Sequence, residues 1–382
     1  MLAATAGSAP LAWAYATGNY AWTTGVSRDG QYVIAGSDDT HTYFFQVNGQ
    51  GKPVWIQSAR GYVRHVAISS NGTCAAAGDS DGGIYFFHSG VLGNGAPIWS
   101  LQVNSSIYSL SMSDDCMFLA AGDREGRIFL FVTGQRTPAL QQHSISGAVI
   151  GLALSESGAF AATSAAGGLY FFGEQGSSPN VEAWVFQNYT SFPQVAIGDD
   201  ADYVVAGGSD GYVYLLNRSG QLLSRERLGG SISALSLSPA TGRLVAASTN
   251  GSVTIFAMQH GLRVIGSIHG LRPITSAFIS NSGERIALAD MDGLISVFDG
   301  SLATQLWTFN AEAIVHSLSM SGNGLVMAAS SDNGNVYLFD EEVQKKATVI
   351  TSDNLLAPVI IAACAFLYLL WRKGAKTRGK TL

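Results

Sequence analysis

One stretch of this 382-residue chain, from Ile107 to Phe131, recurs eight times with variations. Clear copies run from Val63 to Phe87 and from Val315 to Phe339. Each copy alternates apolar and small or polar residues in short runs, which is the pattern of strands and not of helices. A repeat of this kind restricts the chain to folds in which one small β unit is used many times.

The spacing of the copies is set by the turn that follows the first strand of each. The residues at this turn are 41 to 44 positions apart: Gly30, Gly72, Cys116, Gly158, Ala201, Gly242, Gly283 and Gly324. A period near forty residues with four short strands is the signature of a β-propeller blade. The sequence therefore predicts an all-β, eight-bladed propeller over residues 11–340.

Each copy is predicted to contain four strands and a tight turn between the second and the third. In the second copy, residues 65–69 give an inner strand and residues 73–78 give a second strand. The dipeptide Asp81-Gly82 then forms a tight turn, since glycine tolerates a positive φ. Residues 85–87 give an aromatic third strand, and residues 97–100 give a fourth strand that carries Trp.

The two ends of the repeat region complement each other. The last copy ends at Asp340 without a fourth strand, whereas residues 11–15 form a spare strand before the first copy. This segment matches fourth strands such as residues 305–308. We expect the N-terminal strand to complete the last blade, which leaves no open sheet edge.

The repeat pattern is S-x-D-G-x-x-x-A-A-G-x-x-D-G-x-x-Y-x-F, followed by a turn and a Trp. Over residues 11–340 it resembles the WD40 and quinoprotein-like (PQQ-like) propeller families. In overall style it is also similar to membrane-associated propellers of archaea. The resemblance implies a ring with a central channel and a non-catalytic role in binding other molecules.

Composition narrows the choice of partners. Only 13% of the residues are charged and 47% are hydrophobic, which excludes a disordered chain. The net charge is −6, although residues 372–382 contain five basic residues and no acidic one. The remainder is strongly acidic, and a nucleic-acid partner is not expected, because binding nucleic acid requires a basic face.

Two of the three cysteines, Cys74 and Cys116, lie one repeat apart. They are placed to face each other across neighbouring blades. A disulfide requires a particular Cα separation that sequence does not show, so the pairing stays open at this point.

The end of the chain predicts a membrane anchor. Residues 355–371 form an uncharged apolar run that ends in Trp371, near the lower length limit for a spanning helix. Residues 341–354 are a linker and residues 372–382 a basic tail, which the positive-inside rule places in the cytoplasm. We therefore predict a single-pass membrane protein with an extracytoplasmic propeller, contacting the bilayer through residues 355–371.

Two further features bear on that orientation. Residues 1–10 read as a leader or the remnant of a signal peptide, without a basic start or a full apolar core. Five Asn-x-Ser/Thr sequons are possible glycosylation sites: Asn71, Asn104, Asn188, Asn217 and Asn250. A tail-anchored protein with a cytoplasmic propeller remains the alternative.

No catalytic constellation stands out. The seven histidines are scattered, and no metal-ligand spacing is present. The acids Asp81, Asp210 and Asp292 stand in tight turns, where a short carboxylate caps backbone N–H groups. A quinoprotein enzyme would be expected to carry adjacent cysteines and long inserts, which this chain lacks. We expect no enzymatic activity, no cofactor and no metal.

A binding surface is predicted at one end of the channel. We compared the residue just before the large apolar pair of each inner strand, in chain order: Trp22, Arg64, Tyr108, Ile150, Pro193, Ser233, Thr275 and His316. In a closed ring, His316, Trp22, Arg64 and Tyr108 fall on four consecutive blades. We name these four residues the channel-mouth patch. Trp, Tyr and Arg are enriched in interface hot spots, although such side chains also serve to plug a channel.

These features predict a membrane-tethered scaffold that binds other proteins, as an accessory subunit of a membrane or envelope complex. The predicted partners are membrane proteins of unknown identity. The alternative is a sensor or receptor whose channel mouth holds a small molecule or glycan. A PQQ-type oxidoreductase is the third and least favoured function.

Overall fold

The computed structural model of the chain describes residues 7–88, 95–133, 139–173, 182–188, 190–259 and 261–342. These residues form eight antiparallel sheets arranged as consecutive blades, each with an inner, a second, a third and an outer strand. The predicted all-β, eight-bladed propeller is confirmed.

Inner and second strands follow each other directly in the sequence. The inner strands of blades 1 to 8 are Ala21–Val26, Val63–Ile68, Ile107–Met112, Val149–Leu154, Gln194–Ile197, Ile232–Ser238, Ile274–Ile279 and Val315–Met320. The second strands are Tyr32–Ser37, Cys74–Asp79, Phe118–Asp123, Phe160–Ser164, Tyr203–Gly207, Arg243–Ser248, Arg285–Asp290 and Val326–Ser331. One short 3-10 helix, Pro239–Thr241, connects two of these strands in blade 6.

Third and outer strands complete each blade. The third strands are His41–Gln46, Gly83–His88, Arg127–Val132, Gly168–Phe172, Tyr212–Asn217, Val253–Ala257, Leu294–Asp299 and Asn335–Asp340. The outer strands of blades 1 to 7 are Pro53–Ser58, Trp99–Gln102, Ala139–Ser144, Glu182–Phe186, Leu222–Arg227, Arg263–Ile268 and Gln305–Asn310.

The N-terminal segment closes the ring. Leu11–Ala16 pairs antiparallel with Asn335–Asp340, with Ala14 opposite Tyr337, and so supplies the outer strand of blade 8. Upstream of it, Gly7–Ser8 forms a short parallel pairing with the outer strand of blade 7. The predicted closure is thus present, and part of the segment predicted as a leader pairs with a blade.

Aromatic side chains hold neighbouring blades together. Trp55, on the outer strand of blade 1, stacks on Phe44 of its own blade with ring centroids 5.0 Å apart. The same indole lies 4.9 Å from Phe87 on the third strand of blade 2. Trp99 repeats this arrangement between blades 2 and 3. Aromatic pairs of this geometry contribute about 0.5–1.5 kcal/mol beyond the area that they bury.

Small residues on the second strands let the blades approach each other closely. A Cβ atom added to Gly78, on the second strand of blade 2, would lie 2.6 Å from Cγ2 of Ile107, on the inner strand of blade 3. Gly36 faces Val63 of the next blade in the same way. This is the large-against-small packing that the repeat requires.

A disulfide joins Cys74 and Cys116, with Cα atoms 6.1 Å apart. Cys74 begins the second strand of blade 2, and Cys116 lies in the turn after the inner strand of blade 3. The backbone of Cys116 has φ 67°, a conformation that most other blades assign to glycine at this turn. The question that sequence left open is therefore answered by a bridge between two blades.

The C-terminal predictions concern a separate part of the chain. Residues 340–382 form a second unit, of which only residues 340–342 are described. The linker 341–354 lies almost wholly outside the described residues, and the predicted helix 355–371 and basic tail 372–382 lie entirely outside them.

The predicted localisation is corrected at this point. Crossing a bilayer as a helix takes about 20 apolar residues. In the part of the chain that the structure describes, no helix has the length and apolar character to cross a membrane. The prediction of a single-pass membrane protein with an extracytoplasmic propeller is wrong on this finding.

Replacement of Gly78 by Val tests the blade-to-blade packing. We expect a loss of about 1–3 kcal/mol in the free energy of unfolding, because the added methyl groups collide with Ile107. The measurement is urea unfolding followed by tryptophan fluorescence. Gly173→Ala is the matched control, since a Cβ atom there meets nothing within 4 Å. Equal stability of the two variants would refute the packing.

Replacement of Cys74 by Ala tests the disulfide. Its removal should lower the free energy of unfolding by about 3–4 kcal/mol, because the bridge closes a long loop in the unfolded chain. Reductant should destabilise the wild-type protein and leave the variant unchanged. Cys364→Ala, which leaves the pair intact, is the control. A reductant effect of the same size in Cys74→Ala would contradict the bridge.

Candidate binding site at the channel mouth

Two sets of connections meet on one face of the ring, which we name the upper face. They are the turns between second and third strands and the loops that lead from an outer strand to the next inner strand. Backbone hydrogen bonds tie the two sets together: the N–H of Asp38 donates to the carbonyl of Tyr20 at 3.0 Å, and that of Ser80 to the carbonyl of Tyr62 at 2.9 Å. The loop residues are therefore held in place by the strands.

A β-bulge positions each residue of the channel-mouth patch. In blade 1 the pairing of the inner and second strands shifts between Ala21 and Thr23, so that Trp22 has no partner across the ladder. The same shift skips Arg64, Tyr108 and His316 in their blades. Bulges re-aim side chains and occur next to functional sites. The register thus sets these four residues apart from the regular strands.

Three of the four patch residues form one stack across blades 8, 1 and 2. The rings of His316 and Trp22 are stacked with centroids 4.0 Å apart. On the indole of Trp22 lies the guanidinium of Arg64, 4.5 Å from the ring centroid. Both contacts use the π face, where aromatic and cationic groups are attracted. Because Trp22 contacts a neighbour on each side, it is fixed in orientation.

Carboxylates hold the two ends of this stack. Arg64 donates from Nε and from a terminal nitrogen to the two oxygens of Asp38, at 2.9 and 2.8 Å. This hydrogen-bonded pairing raises the pKa of Arg64 above its usual value, so its charge is permanent. At the other end, Nε2 of His316 lies 2.5 Å from Asp332. The order along the stack is carboxylate, imidazole, indole, guanidinium, carboxylate.

Exposed tyrosines surround the stack. Tyr108, the fourth patch residue, is 38% exposed on blade 3 and is not part of the stack itself. Tyr62 and Tyr20, in the loops that enter blades 2 and 1, are 46% and 49% exposed. The ring of Tyr62 lies 5.3 Å from the guanidinium of Arg64. We refer to Tyr20 and Tyr62 as the flanking tyrosines.

The opposite half of the upper face is different. The residues at the corresponding sequence position are small or aliphatic, and only that of blade 5, Pro193, is not at a bulge: Ile150, Pro193, Ser233 and Thr275. Thr275 uses its hydroxyl within the ring, donating to the carbonyl of Val315 at 2.7 Å. At this position of the inner strand, aromatic and charged side chains therefore occur only in blades 8, 1, 2 and 3.

Sequence reasoning missed Asp38 and Asp332. Both stand first in the turn after the second strand of their blades, Asp38 after Ser37 and Asp332 after Ser331. A comparison of this turn position across the eight copies singles out these two acids, Asp38 in the copy of Trp22 and Asp332 in the copy of His316. Without the ring geometry, nothing in the sequence shows that the turn position touches a bulge position.

The predicted turn acids Asp81, Asp210 and Asp292 lie in turns that carboxylates stabilise by accepting backbone hydrogen bonds. Asp210 caps its own turn, accepting from the N–H of Tyr212 at 3.2 Å. In the turns of Asp81 and Asp292 the capping carboxylate lies two residues earlier: the backbone N–H of Asp81 donates to Asp79 at 2.9 Å, and that of Asp292 to Asp290 at 3.0 Å.

Most of the sequon asparagines also take part in local hydrogen bonds. The side-chain oxygens of Asn71, Asn217 and Asn250 each accept from the backbone N–H two residues later. Asn188 donates to the hydroxyl of Tyr214 at 2.8 Å. Asn104 is exposed on the upper face. Glycosylation of these residues stays a prediction.

Next to the patch, His65 lies on the inner strand of blade 2. Burial, with a smaller contribution from the charge of Arg64, lowers the pKa of His65 to about 4. The imidazole is therefore uncharged near neutral pH, and Arg64 carries the positive charge of this segment. Across the described ranges, no three His, Cys, Asp or Glu side chains are arranged to hold a metal ion.

Two parts of the chain match a known repeat. The family model "WD domain, G-beta repeat" (WD40) matches residues 51–88 and 303–340. Each match runs from the outer strand of one blade to the third strand of the next. The matches support the WD40 part of the resemblance, whereas the quinoprotein-like and archaeal parts stay predictions. No curated protein matches the sequence.

Solved structures share the fold at low sequence identity. Sqt1 of Chaetomium thermophilum, bound to the N-terminus of the ribosomal protein L10, has a TM-score of 0.76 at 16% identity, over 87% of this chain and 100% of that one. The C-terminal WD40 domain of Sif2 has 0.73 at 14%, over 88% and 99%. The computationally designed Ika8 protein has 0.74 at 17%, over 87% and 100%. These likenesses show a WD40-type propeller fold.

The lowered pKa of His65 makes stability depend on pH. An unfolded histidine binds a proton near pH 6.5, so the folded state loses stability as the pH falls from 6.5 toward 4. Between pH 7 and 4.5 we expect the wild-type protein to lose about 2 kcal/mol more free energy of unfolding than His65→Gln. The measurement is urea unfolding at both pH values, with the exposed His88→Gln as control. Equal losses in wild type and His65→Gln would contradict the shift.

Proposed function

We propose that the chain is a non-enzymatic propeller scaffold that binds a protein partner through the channel-mouth patch and the flanking tyrosines. The observation that carries the proposal is the continuous stack of His316, Trp22 and Arg64, held at each end by a carboxylate. The two WD40 matches and the fold of the solved structures support a binding role in general terms.

Pre-organisation favours binding at this patch. Ordering a long side chain on association costs about 0.5–1.5 kcal/mol, and part of this cost is avoided when the side chain is already held. Arg64 is held by two hydrogen bonds to Asp38 and by its contacts with two aromatic rings. Its side chain is nevertheless 40% exposed and remains accessible to a partner.

The residue types match a protein interface. Interface hot spots are enriched in Trp, Tyr and Arg and cluster near the centre of the buried area. Here one Trp, three Tyr and one Arg occupy a single half of the upper face. Each exposed tyrosine adds a large apolar ring and a polar hydroxyl. The ring can be buried by a partner while the hydroxyl stays in contact with water at the edge of the interface.

The stack also bears on the alternative of a small planar ligand. The indole of Trp22 already stacks with His316 and carries the guanidinium of Arg64 over its ring. Its π system is therefore engaged within the patch, which disfavours stacking of a sugar or aromatic ring on it. The accessible groups are the tyrosines and the outer edge of Arg64, which spread over several blades and fit an extended protein surface better.

The double variant Trp22→Ala/Arg64→Ala tests this proposal. Truncation of a hot-spot residue costs about 2 kcal/mol or more, so affinity for the partner should fall by about thirtyfold or more. Tagged wild-type and variant proteins are used to capture partners from native cells, and captured proteins are quantified by mass spectrometry. Partners of the patch are those that the variant loses.

The control is Leu223→Ala, an exposed residue on the outer strand of blade 5, away from the patch. This variant should retain every partner at the wild-type level. Circular dichroism and thermal unfolding of the double variant establish that the ring is intact. Unchanged capture of all partners by a folded double variant would overturn the proposal.

A further inference from the structure

A polar groove lies on the upper face beside the channel-mouth patch. Its volume is about 560 Å³, within the range of clefts that hold ligands. It runs along the boundary of blades 2 and 3, and we name it the blade 2–3 groove. The side chains that bear on its chemistry are Arg60, Asp81, Gln102, Asn104, Arg124 and Glu125.

Two cations of the groove have no ion-pair partner within the described part of the ring. Glu125 lies 3.4 Å from a terminal nitrogen of Arg127, which also pairs with the buried Asp123 at 2.7 Å. Among the described residues, no carboxylate lies within ion-pair distance of the exposed Arg60 and Arg124. Asp81 and Glu125 are the acids of the groove. Because neither pairs with Arg60 or Arg124, both guanidinium groups keep their N–H donors for an anionic group of the occupant.

The groove is continuous with the patch. The backbone N–H of Tyr62 donates to the hydroxyl of Ser80 at 2.9 Å. Ser106, in the loop before Tyr108, donates its hydroxyl to the carbonyl of the same Ser80 at 2.5 Å. Ser80 therefore joins the two loops that carry the exposed tyrosines, and both Ser80 and Ser106 line the groove.

The groove also offers groups that bind a peptide backbone. Gln102 donates its amide N–H groups to the carbonyls of Asp81 at 2.6 Å and of Val103 at 3.2 Å, which fixes its orientation and leaves its carbonyl oxygen as an acceptor. The exposed Asn104 supplies an amide donor and an acceptor. An extended segment requires such groups because each of its residues brings one N–H and one C=O that must stay paired.

We propose that the occupant of the blade 2–3 groove is an extended protein segment with an acidic side chain. The carboxylate binds between Arg60 and Arg124, and an aromatic or large apolar residue of the same segment packs on Tyr62 and Tyr108 at the channel mouth. The proposal rests on the proposed function and names the chemical class of its partner.

The probe is a synthetic peptide array in which an aromatic residue is followed, at varied spacings, by Asp or Glu. Matched peptides carry Asn, Gln or Lys instead. The full chain should retain acidic peptides about tenfold more than their amide counterparts, since charge-assisted hydrogen bonds are stronger than neutral ones. Arg60→Ala/Arg124→Ala should lose this preference while binding the amide peptides as before.

Charge reversal sharpens the test. Arg60→Glu/Arg124→Glu should prefer the Lys peptides, because the groove then carries only acidic groups. Arg225→Ala/Arg263→Ala, which removes two exposed cations from outer strands of blades 5 and 6, is the control and should keep the acidic preference.

Three results would overturn the proposal: a wild-type preference for Lys peptides, an acidic preference that survives in Arg60→Ala/Arg124→Ala, or no retention of any peptide class. The test of the proposed function is separate. If Trp22→Ala/Arg64→Ala loses captured partners while the array shows no acidic preference, the patch binds a protein and the assignment of the groove is wrong. If capture is unchanged, the proposed function itself fails.

Discussion

The contact on which the rest of the structure depends is the packing of one blade on the next. A blade is a small sheet with two apolar faces, and it buries them only against its neighbours. Trp55 shows how this is done, since its indole bridges the third strands of two blades through Phe44 and Phe87. The close approach is possible because positions such as Gly78 leave room for a large residue of the next inner strand. Ring closure by Leu11–Ala16 gives the last blade its outer strand in the same way.

In such a ring, the residues that pack one blade on the next differ from the residues that are exposed at the bulge of each inner strand. The bulge near the start of the inner strand recurs in blades 1 to 4 and 6 to 8, whatever residue it carries. In one half of the ring it presents Trp22, Arg64, Tyr108 and His316, and in the other half small or aliphatic residues. The β-bulge is therefore common to nearly all blades. The side chain at the bulge position distinguishes the half of the upper face that we propose as a binding surface from the other half.

The sequence was sufficient for the fold because the repeat supplies the same evidence eight times. The period, the turn glycines and the spare strand at residues 11–15 together left one architecture. The same periodicity identified the bulge position, although not the bulge. What it did not supply were contacts between positions far apart in the chain: the pairing of Arg64 with Asp38, and the bridge of Cys74 with Cys116. Those depend on the distance between blades, which no periodicity contains. The membrane localisation rested on hydropathy and charge outside the repeat, and it was the prediction that failed.

Arg64 both pairs with a buried carboxylate of the ring and presents an exposed edge on the upper face. The carboxylate of Asp38 is only 7% exposed, and a carboxylate so removed from water is costly unless a cation with matching geometry pairs with it. Arg64 provides that pairing through two parallel hydrogen bonds, which at the same time fix its guanidinium on Trp22. Lysine would carry the charge without the planar fork, so arginine is the residue that satisfies both contacts. The exposed edge that a partner meets is therefore oriented by the same ion pair that compensates the buried carboxylate of Asp38. This is why the patch can be rigid on a surface formed by loops.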